Sequence, residues 1–236
     1  MPDTVSALDA VTRIPNLGLC SIAGNLEGHD VRILDLVFHN RRIRRFLEDV
    51  VRDFQPDIVG MSAMSHQYAS ACLVSEICRR VKADIKTVLG GYHATLMHRE
   101  IFAGDDAGLF DFIVRGEGEV TFGKLVNCLE SSEEDFGDIP GLSCRADDGY
   151  RHNPDAPLLD LETLKMPDRS GRILDEARFL GHSFDCVETS RGCTMDCHFC
   201  SINRMYGRTM RMFSLDRVIA DLKHHIFMQA LARLRE

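Results

Sequence analysis

"DIVGMSAMSHQYASACLVSEICRRVKADIKTVLGGYHAT", residues 57–95, decides the fold. It opens on DIVGMSA (57–63), an apolar run of strand length, and nears its end with a second such run, KTVLG (86–90). Between them lies a segment of helix length, about 67–82, so the stretch reads strand–helix–strand. The same alternation continues on both sides. Upstream, RRIRRFLEDVVRDF places Ile43, Phe46, Leu47, Val50, Val51 and Phe54 on one helical stripe, and Pro56 closes that helix. Before it, VRILDLVF (31–38) reads as a buried strand. NLGLCSIAGNL (16–26) reads as a helix, with Pro15 near its start and Gly28 just past its end. Downstream come a helix near 94–103, a strand at DFIVR (111–115), and a helix carrying Phe122, Leu125, Val126 and Leu129. This order predicts an α/β fold, a doubly wound parallel sheet with helices on both faces. Ligands of that architecture sit beyond the carboxyl ends of the strands, at a switch in strand order.

Composition narrows the partners. A chain that is 44% hydrophobic and 27% charged is globular rather than disordered. The formal charge of −8 disfavours nucleic acid, and the local basic cluster Arg41, Arg42, Arg44, Arg45 reads as a solvated helix face. No apolar run reaches transmembrane length, and MPDTVSALDAVTR lacks the apolar centre of a signal peptide. Six of the nine cysteines (Cys20, Cys72, Cys78, Cys128, Cys144 and Cys186) are scattered through apolar segments, as buried reduced thiols are. Reduced thiols without an export signal place the chain in the cytoplasm.

The strand ends carry residues suited to a ligand. Ser62, Met64, Ser65 and His66 lie at or beyond the first strand's end; the second ends in GGYHAT and the third in GEGEVTF. Gly90 and Gly91 let the backbone turn sharply and approach a bulky group. The run Gly116-Glu117-Gly118-Glu119 opens like a dinucleotide fingerprint, but Thr121 occupies its sixth position and two carboxylates stand where phosphates would lie. Each loop by itself is equally consistent with an ordinary turn; three at consecutive strand ends point to one shared ligand. GLSCRA and YRHN, joined by Asp147-Asp148-Gly149, read as a hairpin, and PDAPLLDLETLKMPDRS (154–170) as a linker. The domain expectation is 1–150, a linker over 151–178, and a second unit over 179–236.

In that second unit, strand-like FDCVET (184–189) leads into Cys193, Cys197 and Cys200, a C-x3-C-x2-C pattern. A disulfide would strand one thiol. Structural zinc takes four closed ligands, and a fourth would have to come from His224 or His225 on a later helix. A 4Fe–4S cluster with three thiolates and one open iron is the third reading.

SRGCTMDCHFC, with Phe199 as its aromatic, resembles the radical S-adenosylmethionine signature, and SINRMYGRTMRMFSLDRVIADL after it is similar to that family. The first half resembles the cobalamin-binding domain of one branch of the family through GGYHAT, DFIVRGEGEVTF and IPGLSCR, and the linker through LETLKMPDRS. The resemblance covers about residues 15–228. It implies three cofactors: a 4Fe–4S cluster on Cys193, Cys197 and Cys200, S-adenosylmethionine on the open iron with Phe199 by its adenine, and cobalamin. Reductive cleavage of S-adenosylmethionine would yield a 5′-deoxyadenosyl radical, and the branch commonly transfers a methyl group to an unactivated carbon; some members cyclise or rearrange instead. The corrin would be lined by Ser62, Met64, Ser65, Gly90, Gly91, His93, Gly116, Glu117, Gly118 and Glu119. His93 reads as a polar loop residue and not as the lower cobalt ligand, because no D-x-H-x-x-G loop is present. No catalytic residue is assigned. The implied partners are a small-molecule substrate and an external flavodoxin- or ferredoxin-like electron donor.

Two departures accompany the match. Residues 1–13 hold no apolar first strand, and 179–236 is short for a (β/α) barrel. HHIFM begins like a second barrel strand, and QALARLRE then turns polar and helix-like. The sequence therefore reads as a truncated barrel, expected to need a second chain for turnover. The alternatives are a non-catalytic cobalamin- or metal-binding fragment, or one half of a split enzyme. The Ser214-capped helix is expected to bury Leu215, Val218, Ile219 and Leu222.

Overall fold

A computed structural model describes residues 14–36, 43–131, 135–146, 149–173, 178–179 and 182–233. Five strands form one sheet in sequential order: β1 (Ile58–Ser62), β2 (Lys86–Gly90), β3 (Phe112–Val114), β4 (Leu142–Ala146) and β5 (Gly149–His152). The first three run parallel, with Ser62 beside Gly90 and Leu89 beside Ile113. β4 and β5 add antiparallel. The expected hairpin thus extends the main sheet, with Phe112 paired to Cys144. Strand order does not reverse among the described residues, so the expected switch point is absent from them. What the parallel strands share is the edge where all three end.

The helices cover both faces, as the alternation predicts. On one face, Leu89 and Ile113 pack with Ala71 of α3 (Tyr68–Val81) and with Ala94, Ile101 and Phe102 of α4 (Gly91–Ala103). The stripe of α2 (Ile43–Phe54) delivers Leu47 and Val51 onto Val74, Ile77 and Cys78 beside it. On the other face, Val88, Phe112, Val114 and Leu142 pack on Leu125 of α5 (Gly118–Glu130). Against α5 lies α1 (Leu17–Gly24), whose first turn is capped by the Asn16 side chain accepting from Leu19 N–H at 3.2 Å.

The segment expected as a strand over 31–38 makes a single parallel bridge, Ile33 to Arg172, and residues 37 and 38 lie outside the described residues. Residues 1–13, on which the missing-first-strand expectation rests, lie outside them too. In the second part, residues 184–189 belong to no strand. Pairing begins at β8 (Ser190–Gly192), antiparallel to β9 (Met210–Met212), after a two-residue pair β6 (Arg178–Phe179) and β7 (His182–Ser183). A short helix α6 (Ile202–Tyr206) stands between β8 and β9, and α7 (Leu215–Arg233) follows. HHIFM continues α7 unbroken and starts no strand. Leu215, Ile219 and Leu222 are exposed rather than buried, and only Val218 of that set packs inward, against Leu161, Leu164 and Phe213.

Candidate functional site

At the common edge, Gly91 takes φ +89°, and a Cβ there would stand 2.9 Å from both Ala63 N and Ala63 O. Glycine is therefore required to let the second loop cross the first. Two backbone bonds fasten the crossing: Ala63 N–H donates to Gly90 O and His93 N–H donates to Ala63 O, each at 3.1 Å. The His93 ring lies 4.3 Å from the Tyr68 ring, its Nδ1 is 3.2 Å from Ser65 Oγ, and burial lowers its pKa. These contacts suit a neutral polar loop residue. Met64 is exposed at the rim, its N–H donating to Gln67 Oε1 at 2.9 Å. Gly116, at φ +72°, has open space beside it.

Thr95 joins the second and third loops. Its hydroxyl donates to Gly91 O at 2.8 Å and accepts from Gly116 N–H at 2.9 Å. Thr95 stands within GGYHAT, where its residue type alone signals no part. A single polar residue at a helix start leaves no periodic signal of a bond made 21 residues away.

Glu117 and Glu119 turn their side chains away from that edge. Glu117 accepts from Arg191 at 2.9 Å, from Arg211 at 2.9 and 3.0 Å, and from Leu159 N–H at 2.9 Å. Glu119 accepts from Ser21 Oγ and Arg191, each at 2.7 Å. Only the backbone of this loop is left to line a ligand at the edge. Burial pushes the Glu117 carboxyl up, but the hydrogen bonds from Arg211 and Arg191 outweigh it and hold it below the usual carboxylate range.

Arg191 and Arg211 are register partners on β8 and β9, and Cys193 follows two residues after Arg191. Gly192 (φ +91°) has no room for a side chain, because a Cβ would overlap Thr209 O. The three cysteines are free thiols on one loop; Cys200 N–H donates to Cys197 O at 3.0 Å, which closes a turn between the last two. Met195 N–H approaches Cys193 Sγ at 3.4 Å, and Asn203 Nδ2 donates to Met195 O at 2.6 Å. Cys197 is exposed and Phe199 is 93% exposed, while Cys193 and Cys200 are half-buried. Among the described residues, no three His, Cys, Asp or Glu side chains stand gathered for a metal. The donor set still suits iron: three thiols, two of them one turn apart, on a loop anchored at both ends. A closed four-ligand zinc set is not assembled among the described residues.

Tyr92, in the second strand-end loop, meets Tyr206 of α6 edge-on at 6.3 Å. The linker supplies a second tie. Arg169 donates to Asp185 at 3.1 Å and to Asp221 at 2.6 and 3.1 Å, and Arg172 donates to Asp185 at 3.0 Å. Burial raises the Asp185 carboxyl, and hydrogen bonds from Arg172 and the Cys186 amide more than reverse that. Sequence reading treated 151–178 as connector and missed both arginines, since nothing in local spacing reports an ion pair between distant segments.

Parallel strands ending in glycine loops over an open edge define an α/β ligand-binding domain. The B12 binding domain model matches residues 4–126, just over half of the 236-residue chain. The chain belongs to the B12-binding-domain family, and its relatives include TokK of Streptomyces tokunonensis, a cobalamin-dependent radical S-adenosylmethionine methyltransferase, 25% identical over 72% of this chain and 25% of that one. It is 33% identical to an uncharacterized methyltransferase of Pyrococcus horikoshii, over 94% of this chain and 48% of that protein. It is 28% identical to an anaerobic magnesium-protoporphyrin IX monomethyl ester cyclase of Synechocystis sp., over 83% of this chain and 40% of that one. Among solved structures it resembles TsrM, a radical S-adenosylmethionine methyltransferase from Kitasatospora setae with cobalamin and a 4Fe–4S cluster bound. The TM-score is 0.69 at 20% identity, covering 94% of this chain and 44% of TsrM, a likeness of fold. The chain spans about half or less of the length of the curated relatives it matches. No helix among the described residues is long and apolar enough to cross a membrane.

Proposed function

We propose that this chain holds cobalamin at the strand-end loops and a 4Fe–4S cluster at Cys193, Cys197 and Cys200, in the service of radical methyl transfer. The observation that carries the reading is the cysteine loop's attachment, through Arg191 and Arg211, to the third strand-end loop of a B12-binding domain. When bound, the cluster and S-adenosylmethionine supply a 5′-deoxyadenosyl radical, and cobalamin supplies the methyl group. The chain's own residues hold and orient. Cys193, Cys197 and Cys200 would ligate three irons as thiolates, leaving one iron for S-adenosylmethionine, and Phe199 would pack by its adenine. Ser62, Met64, Ser65, Gly90, Gly91, His93, Gly116 and the backbone of 117–119 would line the corrin, with His93 neutral and off the cobalt. On this reading 1–150 carries cobalamin, 151–178 links, and 179–236 opens the radical domain. A small-molecule substrate and an external electron donor complete the system. Cyclisation is the second reading, favoured by the likeness to the Synechocystis cyclase.

The test is anaerobic reconstitution with iron, sulfide and hydroxocobalamin, followed by counts per chain. About four irons with matching sulfide are expected, together with one cobalt, and iron is lost in Cys197→Ala while cobalt stays. Zinc without acid-labile sulfide would overturn the cluster assignment.

A further inference from the structure

Arg191 occupies an unusual place. It is 6% exposed and faces three carboxylates. One guanidinium nitrogen donates to Glu117 at 2.9 Å and another to Glu119 at 2.7 Å. Its Nε and one terminal nitrogen reach Glu188 at 3.0 to 3.1 Å. Glu117 and Glu119 are themselves 5% and 4% exposed. They flank Gly118, two residues past Gly116 at the open edge, while Arg191 lies two residues before Cys193. One side chain therefore ties the carboxylates just past one candidate site to the segment that enters the other. A lysine could not replace it, since a single ammonium lacks the planar fork that meets several carboxylates at once.

We infer that Arg191 is a positioning residue that fixes the separation and orientation of the cysteine loop relative to the strand-end loops. The consequence for cofactors rests on the function proposed above; the tie itself does not. Without Arg191, Glu119 keeps the Ser21 hydroxyl and Glu117 keeps Arg211 and Leu159 N–H. The buried carboxylates lose the cation they share, so the damage falls on both loops and spares the sheet behind them.

The experiment is backbone hydrogen exchange on the full chain without cofactors, comparing wild type with Arg191→Gln and Glu188→Gln. In Arg191→Gln, amides at 116–119 and 190–192 are expected to exchange about a hundredfold faster, with those of β1 and β2 unchanged. Glu188→Gln, which touches Arg191 but not the strand-end loop, should leave 116–119 unchanged. Unchanged exchange at 116–119 in Arg191→Gln, or an equal rise across β1 and β2, overturns the tie. The loaded chain gives the second readout, the magnetic interaction between cob(II)alamin and the reduced cluster. One defined interaction is expected in wild type, broadened or lost in Arg191→Gln at unchanged iron and cobalt content. A wild-type interaction in that variant would overturn the positioning role. If the wild-type chain takes up neither cofactor, the proposed function fails and the exchange data still decide the tie.

Discussion

The two parts of the molecule are held together by different forces. Residues 43–131 pack aliphatic and aromatic side chains on both faces of the sheet, and Ile77, Leu89, Ile113 and Leu125 are wholly buried. Beyond Leu164, Phe213 is the one buried apolar side chain among the described residues. There Met195, Phe199, Met212, Leu215 and Ile226 are all more than 60% exposed. The second part is oriented by buried arginine–carboxylate clamps, Arg169 and Arg172 on Asp185, and Arg191 and Arg211 on Glu117. Apolar burial scales with area and has no direction; ion pairs contribute little net stability once desolvation is counted, but their geometry is specific. The sheet therefore supplies stability, and the clamps decide where the cysteine loop sits.

Substitutions can break this contrast. Leu89→Ala should cost about 4 kcal/mol in denaturant unfolding, through lost transfer energy plus a cavity, and should be felt across the whole sheet. Asp185→Asn should cost about 3 kcal/mol, because it removes the buried charge that Arg172 and Arg169 share, although Arg169 keeps Asp221. Its effect should appear first as faster exchange at 185–192; an equal loss across β1 to β3 would erase the distinction. Gly91→Ala should cost about 2 kcal/mol from a strained positive φ and the contact with Ala63, and should weaken cobalamin uptake, read by cobalt content.

Acid sharpens the comparison further. The folded-state carboxyls of Glu117 and Asp185 lie below their ordinary values, so their contribution is fully present above about pH 5 and fades as pH falls through the folded values. Exchange protection at 185–192 should thus be lost at higher pH than that of β1 to β3. The smallest effect is expected at the exposed face: Leu215→Lys should change stability by less than ~0.5 kcal/mol.

Much of the first part was legible because its signals are local. The stripe through Leu47 and Val51 and the runs IVGMS and KTVLG carry their own periodicity, and Gly91 reads as a turn with no structure in hand. The strand-end glycines and three cysteines were likewise visible as residue types at telling spacings. What escaped was non-local. Residues 31–36 look like a strand by composition, yet the one β-bridge they make among the described residues is Ile33 to Arg172, fastened by backbone bonds to Gly171 and Ile173. FDCVET has strand composition, but Asp185 is drawn into the arginine clamp and pairing waits until Ser190. HHIFM is apolar enough for a strand, and helix continuation from Ser214 wins. Glu117 and Glu119 were legible as loop residues; the direction of their carboxylates depends on Arg191, 74 and 72 positions away.

The docking of α1 bears on how the chain is made. Lys165 N–H reaches Asn25 across 140 residues, Asp168 N–H bonds Cys20 O, and Ile33 bridges Arg172. At ~5–20 residues per second, the ribosome needs roughly 7–28 s to supply those partners. Through that interval the segment around Cys20 has nothing from the linker to close over it. The earliest-synthesised part of the described chain is thus among the last to reach its native neighbours, and a nascent chain halted before residue 165 would present α1 with its linker-facing side bare.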